Sequence, residues 1–463
     1  MKNITGEIKI ILWLLLPLIC STVFAQTGII PCRVESCTIT SGVHSCPVNI
    51  RAKSAVVFCD TLVYRDAPWL RLYFDDFNLG EQSFVVITSL EDCANQRLDA
   101  RTFPQWRNSS AFFNGDAVSI ELHAVPGDSD VFFRLSEVAV GERGGFMDSK
   151  DLCGDDNRIS SGDDAIGRLL RFFGGGGYNV CTGWITSNGA HLAAGHCIPK
   201  EVLQFNVPGS DSDGTINHPG PDDQYSIDTA SVEFAIDDPG VGDDWAVFDC
   251  HNNSNTDLSP IQAQASFYRM TRDSLPGNVR VTGYGSDDTP NGTTGGRNLD
   301  NFTQQTSTGA FDNETVEGAS DVYLEYFVDT EGGNSGSPVN IEGGSLTIGI
   351  HTNGGCNPFV EGNYGTSFEN NNLEDAIHTF PGDTVEYTDY KYADHDHPIA
   401  FEDGTVFRPY NTVKEAVDSV ATGGIVSIVK GTYPASDGNT FIVGDDGKAM
   451  ILEAPVGTVI IGE

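Results

Sequence analysis

Cationic residues are scarce. Only 26 lysines and arginines stand against 65 aspartates and glutamates, a formal net charge of −39 over 463 residues, with a pI near 4.3. A field of that sign repels phosphate backbones and anionic headgroups, so nucleic-acid binding is excluded. Long apolar runs are lacking too: the stretch Ile10 to Ile19 is shorter than the ~20 residues a spanning helix needs, so stable membrane insertion is not expected. Methionine is down to 4 residues, whereas 52 glycines and 21 prolines make up about one residue in six. That is many turns without low complexity, and with few lysines it favours a mainly β protein. A hydrophobic share of 39% with mean hydropathy −0.20 is that of a soluble globular chain, and the length suggests about three domains.

Lys2 and Lys9 precede the apolar run, and Ser21-Thr22-Val23-Phe24-Ala25 ends it in the manner of a leader cleaved after Ala25. Residues 1–25 therefore read as a signal peptide, and the bulky Ile19 before Cys20 argues against lipidation. Of 11 cysteines the leader removes one, and the even remainder in an exported protein predicts disulfides and a secreted, extracellular location.

Residues 26–145 alternate apolar and polar positions in short runs such as Trp69 to Phe74, Ser83 to Ile87 and Ala117 to Leu122, the pattern of an antiparallel β-sandwich. Five cysteines fall in this part, Cys32, Cys37, Cys46, Cys59 and Cys93, and no titratable constellation does. An accessory sandwich is expected. A breaker-rich strip from Gly141 to Asp164 follows, and then short β-type runs over 152–388 that suit a large barrel or a pair of small ones. The polar stretch Asp389 to Pro398 reads as a solvated joint rather than a metal site, since its alternating His and Asp have no third ligand cluster. Residues 399–463 carry an amphipathic helix signal, Pro409 to Val417, then Gly423-Gly424-Ile425-Val426 and Gly431-Thr432-Tyr433. That string resembles the opening helix and first coil of pectate-lyase-like parallel β-helices, though only a stub of one fits.

Three strings carry chemistry. His191-Leu192-Ala193-Ala194-Gly195-His196-Cys197 sets a histidine before a cysteine whose candidate partner is Cys181; a bridge there would hold the imidazole in place. Gly242-Asp243-Asp244-Trp245-Ala246-Val247 puts a carboxylate at the start of a buried run, where it can accept the Nδ1 proton of a histidine. Asp329-Thr330-Glu331-Gly332-Gly333-Asn334-Ser335-Gly336-Ser337-Pro338 is the most specific: its glycines let the amides of Gly333 and Ser335 converge on one oxygen while a hydroxyl faces outward. Alone, each has a purely structural explanation.

In the order His196, Asp244, Ser335 the strings resemble trypsin-like serine endopeptidases of the chymotrypsin fold, over about half the chain. With Gly349-Ile350-His351-Thr352-Asn353-Gly354, the string at Ser335 is most similar to bacterial glutamyl endopeptidases. The resemblance implies a double β-barrel catalytic domain, Ser335 as nucleophile, His196 as base, Asp244 as its orienting carboxylate, and an oxyanion hole from the amides of Gly333 and Ser335. It implies a protein or peptide substrate and no metal or organic cofactor; Asp211-Ser212-Asp213-Gly214 reads as a solvated turn rather than a calcium loop. Two departures follow. Asn334 replaces the Asp that pairs with a new N-terminal amine in trypsin's relatives, and no cysteine near Ser335 bridges the pocket, so Cys356 pairs elsewhere, with Cys153 or Cys250. Two signals conflict on specificity. Asp329 is positioned to select Arg or Lys, whereas Thr330 and His351 match residues that bind a substrate carboxylate, the imidazole adding charge when protonated. Glu before the scissile bond is expected, basic specificity being the alternative. A non-catalytic adhesion protein on a protease-like scaffold is the reading from another class.

Overall fold

Two β-barrels follow from where the apolar alternation breaks. In a computed structural model that describes residues 24–25, 28–46, 53–143, 150–173, 176–199, 201–236, 241–272, 276–287, 299–344, 346–356, 362–380, 390–398, 401–440 and 448–462, the strands Ile166–Phe172, Val202–Gln204, Gln224–Ala235, Trp245–Cys250, His191–Ala193 and Gly177–Ile185 pair in that order, and the last closes on the first. Leu346–Gly354, Pro338–Ile341, Asn278–Gly283, Gln305–Gly318, Asp321–Phe327 and Asn363–Ser367 close a second ring in the same way. Closure removes open edges, and inward-facing side chains fill each interior. Leu169, Leu203, Tyr225 and Phe248 fill the first barrel; Val281, Leu324, Tyr326 and Val339 fill the second. The double barrel implied by the resemblance is present, and the chain is mainly β.

Ahead of the barrels, Ala55–Val63, Ala117–Ala124, Phe84–Ser89 and Asn95–Asp99 form one antiparallel sheet, and Gly28–Thr40, Phe132–Gly141, Trp69–Asn78 and Phe113–Asn114 belong to another. Ala117–Ala124 alternates half-buried and buried residues along its length, and its inward Val118, Ile120 and Leu122 share a core with Leu72, Phe133 and Leu135 of the second sheet. That sheet does not stop at the sandwich. Gly28–Thr40 also pairs with Gly177–Ile185, so one ten-stranded sheet runs from sandwich to barrel. Arg71 fastens the same junction. Fully buried, it donates to the Ser110 carbonyl at 3.0 Å and to Glu201 at 2.5 Å.

At the other end Tyr390–Ala393, Ile425–Ile428 and Ile451–Glu453 pair in parallel, as do Gly431–Tyr433 and Val459–Ile461. The helix Val413–Ser419, capped by the Thr412 side chain, lies against them. The joint before this segment is solvated only in part, with His395, Asp396 and Pro398 exposed. Asp394 and His397 are buried, Asp394 accepting two bonds from Arg269 at 2.6 and 3.0 Å and His397 contacting the Met270 carbonyl at 3.2 Å. Pairing with a distant arginine draws the carboxylate inward.

Two disulfides form, Cys181–Cys197 as expected and Cys153–Cys356, which resolves the open partner of Cys356. Cys32, Cys37, Cys46, Cys59, Cys93 and Cys250 are unbridged among the described residues. Six cysteines thus stay as thiols among the described residues. Cys32 is buried beneath the junction, and burial pushes its thiol up to about 12, which makes it inert. Residues 1–23 of the expected leader lie outside the described residues; Phe24–Ala25 forms a short strand.

Four histidines are buried and held neutral by desolvation: His191 is lowered to about 4, His351 and His378 to about 3, and His218 well below the usual value. An unfolded chain binds protons at these sites below ~6.5 and the folded chain does not, so stability falls as pH drops from ~6.5 toward ~4, by about 1.4 kcal/mol per pH unit per histidine. Asp249, raised to about 6 by burial, works in the opposite sense below that pH. The melting temperature should therefore fall steadily between pH 6.5 and 4.5, and His218→Gln should reduce the slope; a flat profile would contradict the assignment.

Candidate active site

His196 sits on the short turn Gly195–Cys197, directly after the strand His191–Ala193. That strand pairs with Trp245–Cys250, Ala193 opposite Ala246, which brings Asp244 beside the turn. The Asp244 carboxylate accepts twice from one residue, from the His196 backbone N–H at 2.9 Å and from Nδ1 at 2.6 Å. It is 4% exposed. The Thr366 hydroxyl secures the aspartate backbone, accepting from its N–H at 3.1 Å and donating to its carbonyl at 2.9 Å. With Nδ1 committed as donor, Nε2 carries the lone pair. It is buried and has no hydrogen-bond partner among the described residues.

Ser335 comes from the other barrel, on the turn between Thr330–Glu331 and Pro338–Ile341. Gly333 and Gly336 adopt φ of +115° and +94°, and a Cβ on either would fall 2.2 Å from the Tyr284 carbonyl or 2.0 Å from that of Thr182. No other residue type fits this turn. Its far side is held by the Gly336 N–H, which donates to the His351 carbonyl at 2.7 Å, and by the Thr182 N–H, which donates to the Ser335 carbonyl at 2.8 Å. The Ser335 hydroxyl donates to the Thr352 carbonyl at 3.1 Å.

Asp329, Thr330 and His351 line up behind the turn, but their states differ from expectation. The Asp329 carboxylate already accepts from the backbone N–H groups of Cys153 and Asn157 at 2.8 and 3.0 Å. Thr330 accepts from Asn363 at 2.8 Å. His351 is fully buried, with Nδ1 2.6 Å from the Tyr326 hydroxyl. Burial, aided by the nearby His196, holds it neutral with a pKa of about 3. The charge assistance expected of a protonated imidazole is therefore absent at neutral pH. Cys181, His196 and Cys197 approach one another as metal ligands would, but the two sulfurs are joined in the disulfide.

Residues 168–372 match the trypsin family model. This segment is a trypsin-like serine peptidase domain. Solved structures similar to it include a thermostable serine protease, AL20, from an extremophilic microorganism (15% identity, 46% of this chain and 97% of that one, TM-score 0.33). Others are HL collagenase (14%, 50% and 99%, TM-score 0.35) and the VesB protease of Vibrio cholerae (13%, 48% and 67%, TM-score 0.33). No curated protein sequence matches the chain.

The domain has a cation beside the Ser335 turn that the sequence did not single out. Arg158, its side chain 3% exposed, grips Asp156 with two bonds at 3.0 and 2.8 Å, donates to the Ser286 carbonyl at 2.8 Å and lies 3.8 Å from Asp287. Glu331, within the turn sequence, adds its charge, and together these partners outweigh burial and raise the guanidinium pKa. A Cβ on Gly285 would touch both this guanidinium, at 3.0 Å, and the Asn334 amide, at 2.4 Å. The fixed cation thus stands next to Asn334, where relatives with Asp use a freed amine. The signal available in the sequence was an arginine isolated in an acidic strip. Arg158→Met should cost about 3–5 kcal/mol by stranding buried carboxylates and lower kcat more than it raises KM. Arg158→Lys should recover only part, lacking the two-pronged grip; wild-type stability and kcat in the Met variant would show the cluster to be unnecessary.

Proposed function

We propose that the chain is a secreted serine endopeptidase that works through Ser335, His196 and Asp244 and cleaves preferentially after glutamate. The observation that carries the catalytic part is the double grip of Asp244 on His196, which holds Nδ1 as donor and leaves the Nε2 lone pair free to act as a base. Rotation of the Ser335 hydroxyl away from the Thr352 carbonyl delivers its proton to Nε2 as the oxygen attacks the scissile carbonyl. The amides of Gly333 and Ser335 stabilise the oxyanion, and Asp244 stabilises the imidazolium. His196 returns the proton to the departing amine, leaving an acyl-Ser335 ester. Water, deprotonated by the same nitrogen, hydrolyses that ester and restores the serine. The two disulfides fit an oxidising compartment.

For specificity, the state of Asp329 argues for acidic side chains. Its two backbone donors satisfy the carboxylate that a basic substrate residue would need. The neutral His351 and the Thr330 hydroxyl offer uncharged groups to a substrate carboxylate. The competing basic reading rests on Asp329 alone.

Ser335→Ala should lower kcat/KM by roughly four to six orders of magnitude with the fold unchanged, and retention of activity would end this reading. A peptide library should be cut after Glu ahead of Asp. His351→Ala should lower kcat/KM for Glu substrates about tenfold to a hundredfold, the worth of a hydrogen bond to a charged group. Cuts after Arg or Lys, unaffected by that variant, would transfer the pocket to Asp329.

A further inference from the structure

The first described residues of the chain pair with both sides of the nucleophile. Phe24–Ala25 runs antiparallel to the end of Leu346–Gly354, Phe24 opposite Gly354 and Ala25 opposite Asn353. Gly28 then lies opposite Val180, Ile29 opposite Asn179, Ile30 opposite Tyr178 and Pro31 opposite Gly177. Only two residues of sequence separate the two pairings, a reach of at most about 11 Å from Ala25 to Gly28. Ser335 stands between the two docking strands. Its hydroxyl donates to Thr352, next to Asn353, and its carbonyl accepts from Thr182, two residues beyond Val180. Gly28 itself lies against the nucleophile turn: a Cβ there would fall 2.8 Å from the Gly332 carbonyl and 2.2 Å from the Phe302 ring.

We propose that the chain's own N-terminal strand is a tethered occupant of the peptide cleft, and that Gly28–Pro31 closes the half that receives the leaving-group side of a substrate. The proposal rests on the triad reading above. Chain direction assigns the halves: a peptide laid like Phe24 to Pro31 has its acyl part along Asn353–Gly354 and its leaving part along Gly177–Val180. Processing after Ala25 would open the first half only. The second stays filled because Gly28–Pro31 continues without a break into the sandwich, Cys32 opposite Gly141 and Val34 opposite Ala139, with Ile30 buried in the shared core. Strand Gly177–Ile185 has one side paired with Ile166–Phe172 along its length, while its other side meets His191–Ala193 only at Trp184 and Ile185. Its first residues therefore have one open edge, and Gly28–Pro31 takes it. A tethered strand competes at an effective concentration on the order of millimolar, so an extended polypeptide must displace it, whereas a substrate that ends at the scissile bond need not.

The test uses the chain from Gln26 onward. Its kcat/KM is measured on a peptidyl p-nitroanilide with Glu before the scissile bond, and on a peptide of the same acyl sequence extended several residues beyond it. Gly28→Val, whose side chain has no room beside Phe302 and Gly332, should raise the ratio of kcat/KM on the extended peptide to that on the anilide by about tenfold or more, because the competent fraction rises only for substrates that need the occupied half. Deletion of 26–31 should do the same, and it serves where the valine variant fails to fold. If neither variant moves the ratio of the two rates, the strand does not gate the cleft. A small fluorophosphonate, which needs only the nucleophile, separates the two ideas. Labelling of Ser335 with an unmoved ratio overturns the tethered strand and keeps the triad, and no labelling in any variant overturns both.

Discussion

Thr182 clasps the first barrel to the Ser335 turn of the second, and so fixes where Ser335 lies relative to His196. Its N–H donates to the Ser335 carbonyl at 2.8 Å, and its hydroxyl donates to the Gly333 carbonyl at 3.0 Å while accepting from the Tyr284 N–H at 3.0 Å. Its own carbonyl passes so close to Gly336 that a side chain there is impossible. Two backbone carbonyls of the Ser335 turn and the Tyr284 N–H beside it are thus referenced to one residue of the opposite barrel. The neighbouring Cys181 is bridged to Cys197, beside His196. Thr182 and His196 thus each adjoin one end of the same disulfide, and a shift of the barrels that would separate Ser335 from His196 must break buried hydrogen bonds.

Scarcity of cations gives each buried arginine a structural assignment. Arg71 joins sandwich to barrel, Arg158 stands by the Ser335 turn, and Arg269, only half-buried, docks the C-terminal coils through Asp394. Arg168 is the exception in kind. Fully buried, it is bound by Gln204 and by the carbonyls of Phe302 and Asn217 rather than by a carboxylate, and burial lowers its pKa to about 10. It remains charged at neutral pH, held by dipoles alone. With a net charge of −39, surplus carboxylates face solvent and repel, and these few covered cations hold segments together against that repulsion.

The parts of the site legible in the sequence are the parts whose geometry is local. A glycine on each side of Ser335, a cysteine after His196 and an apolar run after Asp244 each prescribe a turn or strand within a few residues, and the structure joins His196 to Asp244 as those strings imply. What escaped depends on residues far away. Nothing near His351 in sequence announces that Tyr326 contacts its ring and that burial keeps it neutral. Asp329 reads as a bare pocket carboxylate until Cys153 and Asn157, more than 170 positions earlier, supply its donors. Asp394 reads as part of a solvated linker until Arg269 claims it. Composition alone does not distinguish a charged residue that is solvated from one whose partner arrives by folding.

The continuity of the sheet also bears on how the N-terminal region relates to the peptidase. Domains joined by a flexible linker and a modest interface move apart readily. Here the join is a run of strand hydrogen bonds from Gly28 to Pro31 and a core shared by Ile30, Trp69, Leu170 and Tyr178, reinforced by Arg71 on Glu201. Lifting the whole sandwich away would strip Tyr178 and Leu170 of their cover and leave Gly177–Val180 with an unpaired edge, the kind of surface that recruits other chains. Displacing only the first residues of Gly28–Thr40 exposes far less, because its remainder stays paired with Phe132–Gly141. The smaller motion is thus a local peel at Gly28 rather than departure of the sandwich, since local openings cost less than global unfolding. The edge that folding must cover is the edge a substrate must reach, and a strand that covers it reversibly meets both demands.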